Sequence, residues 1–132
     1  MEILIAWLGA GLAFGAADAV YLSQAVPKIY RPLIGAMLSG KTNVGAAAAF
    51  YVIYISGIIF FAVMPALEAS DFGMAAFRGA ALGFVAYATY NLTNHATLKV
   101  WHVRMSVIDM AWGTFATALA ASAGYAAAAQ FG

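Results

Sequence analysis

Asp18 is the residue whose chemistry is hardest to explain by packing, because it is the one charged side chain in an apolar run over residues 3–26. A carboxyl group in such a run must be protonated, hydrated or hydrogen-bonded by a tyrosine, an asparagine or a basic residue. At about 1.5 Å per helical residue, Asp18 lies roughly 12 Å before the end of the run. Asp18 is therefore the predicted centre of a polar site.

Further polar side chains are expected at the same depth in three later apolar runs. In the third run, Gly83, Tyr87, Asn91 and Asn94 recur at the spacing of one helix face. Four antiparallel helices would bring these polar groups into one layer, which predicts a pocket in an otherwise apolar bundle. The predicted ligand-binding residues are Asp18, Tyr51, Tyr87, Asn91, Asn94, Asp109 and Trp112, with Tyr54 in the same layer.

The asparagines, the tyrosines and Asp109 also have a purely structural interpretation. Ser106 and Asp109 have the spacing of a capping box, in which a serine caps a helix and the acid three residues later interacts with free backbone amides. Asn91 and Asn94 could satisfy carbonyl groups at a helix end. Tyrosines near a membrane surface commonly form an aromatic belt. No helix cap explains Asp18.

Two other patterns concern metal binding and helix packing. His95, His102 and Asp109 follow one another at intervals of seven residues, and both residue types ligate metals. The segment lacks an i, i+4 ligand pair, so we predict no metal site, and any cofactor stays unknown. Gly11 and Gly15 form a Gly-x-x-x-Gly pattern that permits close contact between helices, within one chain or between copies.

The composition excludes an ordinary soluble domain and a nucleic-acid-binding protein. Of the 132 residues, 65% are hydrophobic and 8% are charged, against about 45–50% and about 25% in soluble domains. The net charge of +1 provides no basic surface for nucleic acid, and the absence of cysteine excludes disulfides and thiolate metal sites. We therefore predict a small all-α polytopic membrane protein that contacts membrane lipids.

Four apolar runs are long enough to span a membrane, which takes about 20 helical residues. They cover residues 3–26, 44–67, 72–94 and 107–129. These runs predict a single transmembrane domain over residues 1–132, built as an antiparallel four-helix bundle. The first run is expected to stop at Pro27, and Thr42 or Asn43 is expected to cap the second.

The first connection is predicted to contain a short amphipathic helix. Its apolar residues recur on one helix face, and Gly40 is a natural end for such a helix. The residues of this face are Ile29, Tyr30, Leu33, Ile34, Met37 and Leu38.

The distribution of lysine and arginine predicts the orientation in the membrane. Five of the six basic residues lie in the first and third connections, whereas Arg78 is on the opposite side. By the positive-inside rule both of these connections are cytoplasmic. Both chain termini are then expected outside, in a bacterial cytoplasmic (inner) membrane.

The third apolar run and the connection after it contain a distinctive string at residues 86–101, which reads Ala-Tyr-Ala-Thr-Tyr-Asn-Leu-Thr-Asn-His-Ala-Thr-Leu-Lys-Val-Trp. This string resembles the hallmark of DUF2177, a family of small bacterial predicted membrane proteins. The likeness extends to Asp18, to residues 50–67 and to residues 109–113, so it covers nearly the whole chain. The family usually has aspartate where this chain has Asn91 and proline where it has His102. The departure at Asn91 argues against an acid, base or metal-binding role at this position and leaves a hydrogen-bonding role open. It also implies four membrane spans, and it carries no established activity.

Three functions are compatible with these patterns. The first is a pocket that opens to the cytoplasmic leaflet and binds or processes a lipid or small amphiphile, with Asp18 at its centre. The second is a structural or accessory subunit of a larger membrane complex, in which the polar layer only fixes helix register. The third is an oligomeric small transporter or channel. Whether the protein is an enzyme, and whether it forms a homo-oligomer, stays open at this point.

Overall fold

Residues 1–34 and 43–132 are described by the computed structural model, and they fold into four long helices. No strand occurs in the described part of the chain, so the predicted all-α class is confirmed. The first helix comprises Glu2–Ala25, a π-helical turn at Val26–Tyr30 and a short α-helical end at Arg31–Ile34. The second helix comprises Val44–Ile58, a π-helical turn at Ile59–Val63 and a last α-helical segment at Met64–Ala69. The third helix is Phe72–Thr97, and the fourth is Val103–Phe131.

The first helix does not stop at Pro27, and that expectation is wrong. Proline lacks the N–H that an α-helix requires, and its ring clashes with the carbonyl group one turn earlier. A π-helical turn at Val26–Tyr30 contains Pro27 and carries the helix past it. Such local widening is a known way to accommodate proline in apolar helices. Of the predicted amphipathic helix, residues 29–34 belong to the continuing first helix, and residues 35–42 lie outside the described residues.

The second and third helices begin with side-chain caps. Asn43 accepts a hydrogen bond from the Ala46 backbone N–H at 3.0 Å, which confirms the predicted cap. Asp71 accepts one from the Met74 N–H at 3.1 Å. Ser70, with a φ of 51°, lies between the two helices in the left-handed region. This tight turn makes the second and third helices antiparallel neighbours.

The fourth helix packs along both the first and the third helix through small residues. A Cβ atom added at Gly79 would lie 2.7 Å from Ala121 Cβ, and one added at Gly83 would lie 2.3 Å from the Gly113 carbonyl oxygen. On the other side, a Cβ atom at Gly9 would lie 2.9 Å from Ala127 Cβ. Backbones this close leave no space for larger side chains, so glycine and alanine determine which helices are neighbours.

The Gly11 and Gly15 pattern does not form a close helix contact within the chain. A Cβ atom at Gly15 would meet nothing within 4 Å, and one at Gly11 would be at ordinary contact distance from Trp7 and Ile55. Within the described residues, the close packing uses other glycines.

Large apolar side chains cover the outside of the molecule, whereas the core consists largely of alanine with a few larger residues. Leu12, Ile53, Phe77 and Phe115, one from each long helix, are 60–75% exposed. Two of the four helices, Glu2–Leu33 and Val44–Ala69, are long and apolar enough to cross a membrane by length and composition. The third and fourth helices have 26 and 29 residues and are more polar.

Candidate functional site

Asp18 is a buried carboxylate, 8% exposed, that the second and fourth helices hold by hydrogen bonds. Tyr51 Oη donates a hydrogen bond to Asp18 Oδ2. Trp112 Nε1 donates to the other carboxylate oxygen, Oδ1, at 3.2 Å. Both donors are neutral groups. The carboxylate is therefore held in position without receiving a compensating positive charge from either of them.

Tyrosine and phenylalanine rings support this contact from the bundle interior. The fully buried Phe14 lies edge-on to Tyr51 and to Tyr54, with ring centroids 5.8 and 5.4 Å apart. The Tyr54 hydroxyl is 2.7 Å from Thr117 Oγ1 on the fourth helix. These contacts fix the rotation of the second helix and with it the position of the Tyr51 hydroxyl.

Asn91 and Asp109 form a second polar contact, between the third and fourth helices. Asn91 is fully buried, and its Nδ2 donates to Asp109 Oδ2 at 2.7 Å and to the Tyr87 carbonyl oxygen at 2.8 Å. Asn91 Oδ1 has no hydrogen-bond partner among the described residues. A buried acceptor without a donor costs about 1–3 kcal/mol. The pair therefore retains an unsatisfied acceptor next to a carboxylate.

The capping-box interpretation of Asp109 is wrong, because the fourth helix begins earlier than residue 107. Its first residue is Val103 and its N-cap is His102. Ser106 lies inside the helix, where its hydroxyl accepts a hydrogen bond from Trp101 Nε1 at 2.9 Å. Asp109 thus lies beyond the first turn of the fourth helix, and its carboxylate accepts a hydrogen bond from the Asn91 side chain.

The asparagines of the third helix are also not terminal caps. The helix continues to Thr97, with Leu98 as its C-cap, rather than ending at residue 94. Asn91 lies more than one turn before that end and donates to a carbonyl group within the helix. The backbone carbonyl oxygen of Asn94 accepts the closing hydrogen bond from the Leu98 N–H at 2.9 Å.

A cavity of about 330 Å³ lies between the two carboxylates. Exposed side chains such as Phe50 and Tyr90 form part of its lining, so it opens at the surface of the bundle. The Tyr21 and Trp112 rings stack with centroids 4.3 Å apart at its edge. The described lining residues are Asp18, Tyr21, Leu22, Phe50, Ala86, Tyr87, Tyr90, Met105, Asp109 and Trp112.

The structure brings six of the seven predicted residues together. Asp18, Tyr87, Asp109 and Trp112 line the cavity. Tyr51 and Asn91 hydrogen-bond to the two lining carboxylates without being among the described lining residues. Asn94 is half-buried, one turn further along the third helix, and is also absent from that lining.

The hydrogen-bond partners of Asp18 differ from the expectation. The sequence pattern places Asp18 in one layer with the polar face of the third helix, which would make Tyr87, Asn91 or Asn94 its partner, whereas its hydrogen bonds come from the second and fourth helices. The reason is the packing order, since the first and third helices both pack along the fourth. Asp18 and Tyr87 of the third helix both line the cavity.

Sequence reasoning missed several lining residues. Tyr21 and Tyr90 follow Asp18 and Tyr87 by three residues, and Met105 precedes Asp109 by four. This spacing places each of them on the same helix face as a predicted residue, and that signal could have found them. The other missed lining residues are Leu22, Phe50 and Ala86.

The two histidines lie away from the cavity lining. His95 is exposed, and His102 Nε2 is 3.0 Å from the Leu33 carbonyl oxygen at the end of the first helix. Within residues 1–34 and 43–132, no group of three or more His, Cys, Asp or Glu side chains is arranged to hold a metal ion.

Comparison with known proteins gives one family. Residues 3–126 match the model of DUF2177, which is described as a predicted membrane protein family. No curated protein and no solved structure matches the chain.

Proposed function

Since the chain belongs to the DUF2177 family of predicted membrane proteins, we propose that its four long helices span the bacterial cytoplasmic membrane and that the cavity between Asp18 and Asp109 binds a lipid or small amphiphile. The observation that carries the proposal is the cavity itself, which combines two carboxylates with apolar walls. Amphiphile sites need both kinds of surface.

The outer surface supports the membrane assignment for all four helices. Each helix carries large exposed apolar side chains, such as Leu12, Ile53, Phe77 and Phe115. An exposed apolar surface of this extent must be shielded from water, and in a membrane the lipid acyl chains shield it. The small-residue contacts of the fourth helix are also typical of membrane bundles.

The cavity opening supports an amphiphile rather than a water-soluble metabolite. Leu22, Phe50 and Tyr90 are exposed on the side of the bundle, at the same level as the cavity that they line. In a membrane this opening would face acyl chains. The head group of an amphiphile could thus occupy the cavity while its hydrocarbon chain passes through the apolar opening into the bilayer.

The basic residues support an opening toward the cytoplasmic leaflet. Lys28 and Arg31 lie at the end of the first helix, and Lys99 and Arg104 lie near the start of the fourth. The contact between His102 and Leu33 keeps these two ends together. By the positive-inside rule this end of the bundle is cytoplasmic, and Asp18 and Asp109 are in the half of the bundle nearest to it.

Filling the cavity tests the proposal without altering its charges. Ala86 lines the cavity, whereas Ala81 is exposed on the same helix. We expect the unsubstituted protein and the Ala81→Phe variant, purified in a neutral detergent, to retain bound lipid or amphiphile at about one per chain. The Ala86→Phe variant should lose it. Mass spectrometry of the extracted lipids measures the ratio.

Three outcomes would contradict the proposal. Equal lipid retention by both variants would mean that the cavity does not hold the lipid. Copurification of a foreign subunit in stoichiometric amount, with no bound lipid, would favour the accessory-subunit alternative. A homo-oligomer that conducts ions, again with no bound lipid, would favour the transporter or channel alternative.

A further inference from the structure

We propose that the group bound in the cavity is an organic ammonium cation, an inference that rests on the proposed function and specifies its ligand. The cavity combines buried negative charge with aromatic rings. This combination is the one by which proteins recognise substituted ammonium groups.

The charge of the lining favours a cation. Asp18 is more than nine-tenths buried, and its hydrogen-bond partners, Tyr51 and Trp112, are neutral. Asp109 supplies a second carboxylate, and none of the described lining residues is lysine or arginine. A buried carboxylate is stable when a positive charge is placed near it. An anionic head group would be repelled, whereas an ammonium group would compensate the charge of Asp18.

The aromatic rings favour an organic cation over a metal ion. Five of the ten described lining residues are aromatic, and two of them, Tyr21 and Trp112, stack on each other. The faces of such rings attract cations, more strongly where water is excluded. A divalent metal ion instead requires several oxygen ligands. A substituted ammonium group can use the rings and a carboxylate together.

The size of the cavity fits a head group rather than a whole lipid. Its volume of about 330 Å³ is at the lower end of small-molecule sites, which span about 300–1,000 Å³. The ammonium group could come from the head group of a membrane lipid or from a free amine. Both sources share the same chemistry, and the experiment below separates them.

A pair of probes that differ only in charge tests the inference. Dodecyltrimethylammonium and its neutral isostere, in which carbon replaces the quaternary nitrogen, are titrated into the delipidated protein in uncharged maltoside micelles. Two of the three tryptophans, Trp7 and Trp101, are replaced by phenylalanine, so that fluorescence reports on Trp112 at the cavity. We expect the cationic probe to bind at least tenfold more tightly, which corresponds to about 1.4 kcal/mol.

Substitutions identify the groups responsible for that preference. Asp18→Asn should abolish it, whereas Glu68→Gln, which removes an exposed carboxylate at the other end of the bundle, should leave it intact. If Asp18→Asn does not fold, Tyr90→Leu replaces it, because Tyr90 is 60% exposed and tolerates exchange better. Tyr90→Leu should weaken the cationic probe several-fold and leave the neutral probe unchanged.

The outcomes separate this inference from the proposed function. Equal binding of the two probes would overturn the ammonium inference and leave an amphiphile site. No binding of either probe would overturn both proposals. Competition by tetramethylammonium chloride would support a free amine as the source. Competition by phosphatidylethanolamine, but by neither that salt nor phosphatidylglycerol, would support a lipid head group.

Discussion

At the scale of single residues, the site depends on two carboxylates that are held differently. Asp18 receives hydrogen bonds from Tyr51 and Trp112, whereas Asp109 accepts one from the amide of Asn91. Hydrogen bonds to a charged acceptor are stronger than those between neutral groups. The partners of each carboxylate therefore contribute both to stability and to the geometry of the cavity.

Removing the hydroxyl of Tyr51 should destabilise the protein. The Tyr51→Phe variant keeps the ring against Phe14 and loses the hydrogen bond to Asp18. We expect the free energy of unfolding to fall by about 1–3 kcal/mol, measured by thermal or denaturant unfolding in detergent. Tyr125→Phe is the matched control, because no hydrogen bond of the Tyr125 hydroxyl occurs in the described structure. Equal effects of the two substitutions would contradict the role of Tyr51.

At the scale of helices, glycine positions determine how closely the third and fourth helices approach. A Cβ atom at Gly83 would lie 2.3 Å from the Gly113 carbonyl oxygen, and one at Gly113 would lie 2.1 Å from Tyr87 Cγ. Both contacts are next to the cavity wall formed by Tyr87. The depth of the cavity thus depends on glycines that do not themselves line it.

The Gly83→Ala substitution should separate these two helices. We expect a loss of about 1–3 kcal/mol in unfolding free energy, as in other overpacked interiors, together with a loss of bound amphiphile. Gly15→Ala should be neutral or slightly stabilising, because a Cβ atom there meets nothing within 4 Å and alanine favours helix more than glycine does. Unfolding midpoints of the two variants check this prediction, and a more stable Gly83→Ala would contradict the packing.

In the turn between the second and third helices, a substitution is expected to stabilise the protein rather than destabilise it. Ser70 has a φ of 51°, a conformation that glycine adopts without steric cost. Ser70→Gly should therefore raise the unfolding free energy by about 0.5–1 kcal/mol, because the relieved cost of the left-handed conformation, about 1–2 kcal/mol, exceeds the extra backbone entropy that glycine loses, about 0.5–1 kcal/mol. A Ser122→Gly substitution inside the fourth helix should lower it, because glycine is unfavourable in a helix interior. Thermal unfolding of both variants distinguishes the two effects.

At the scale of the whole molecule, the charge distribution predicts how the bundle sits in the membrane. Lys99 is in the third connection, and Glu68 is exposed near the opposite end. The chain has no cysteine, so single-cysteine variants give an unambiguous signal. We expect Glu68→Cys to react with a membrane-impermeant thiol reagent in intact cells, and Lys99→Cys to react only after lysis. The reverse pattern would invert the proposed orientation.

Local sequence patterns were sufficient for the helices and for several of their ends. The apolar runs predicted four helices, and a cap was predicted at Thr42 or Asn43, because these features depend on residues close together in the chain. The same kind of reasoning failed at Pro27 and at Ser106. At Pro27 the local pattern predicted a helix end, but the helix continues through this residue. At Ser106 the pattern predicted a helix start, but the fourth helix begins earlier, at Val103.

The sequence by itself determined the all-α class, and helix periodicity predicted a set of seven polar residues of which six meet around one cavity. Only the tertiary structure decided which of them bond to each other. Asp18 and Trp112 are 94 residues apart in the chain, and their contact depends on the rotation and order of the helices. That order is set by close approaches at glycines such as Gly79 and Gly83. The physical reason is that helix periodicity reveals which face is polar, whereas the partner of that face depends on the packing of all four helices.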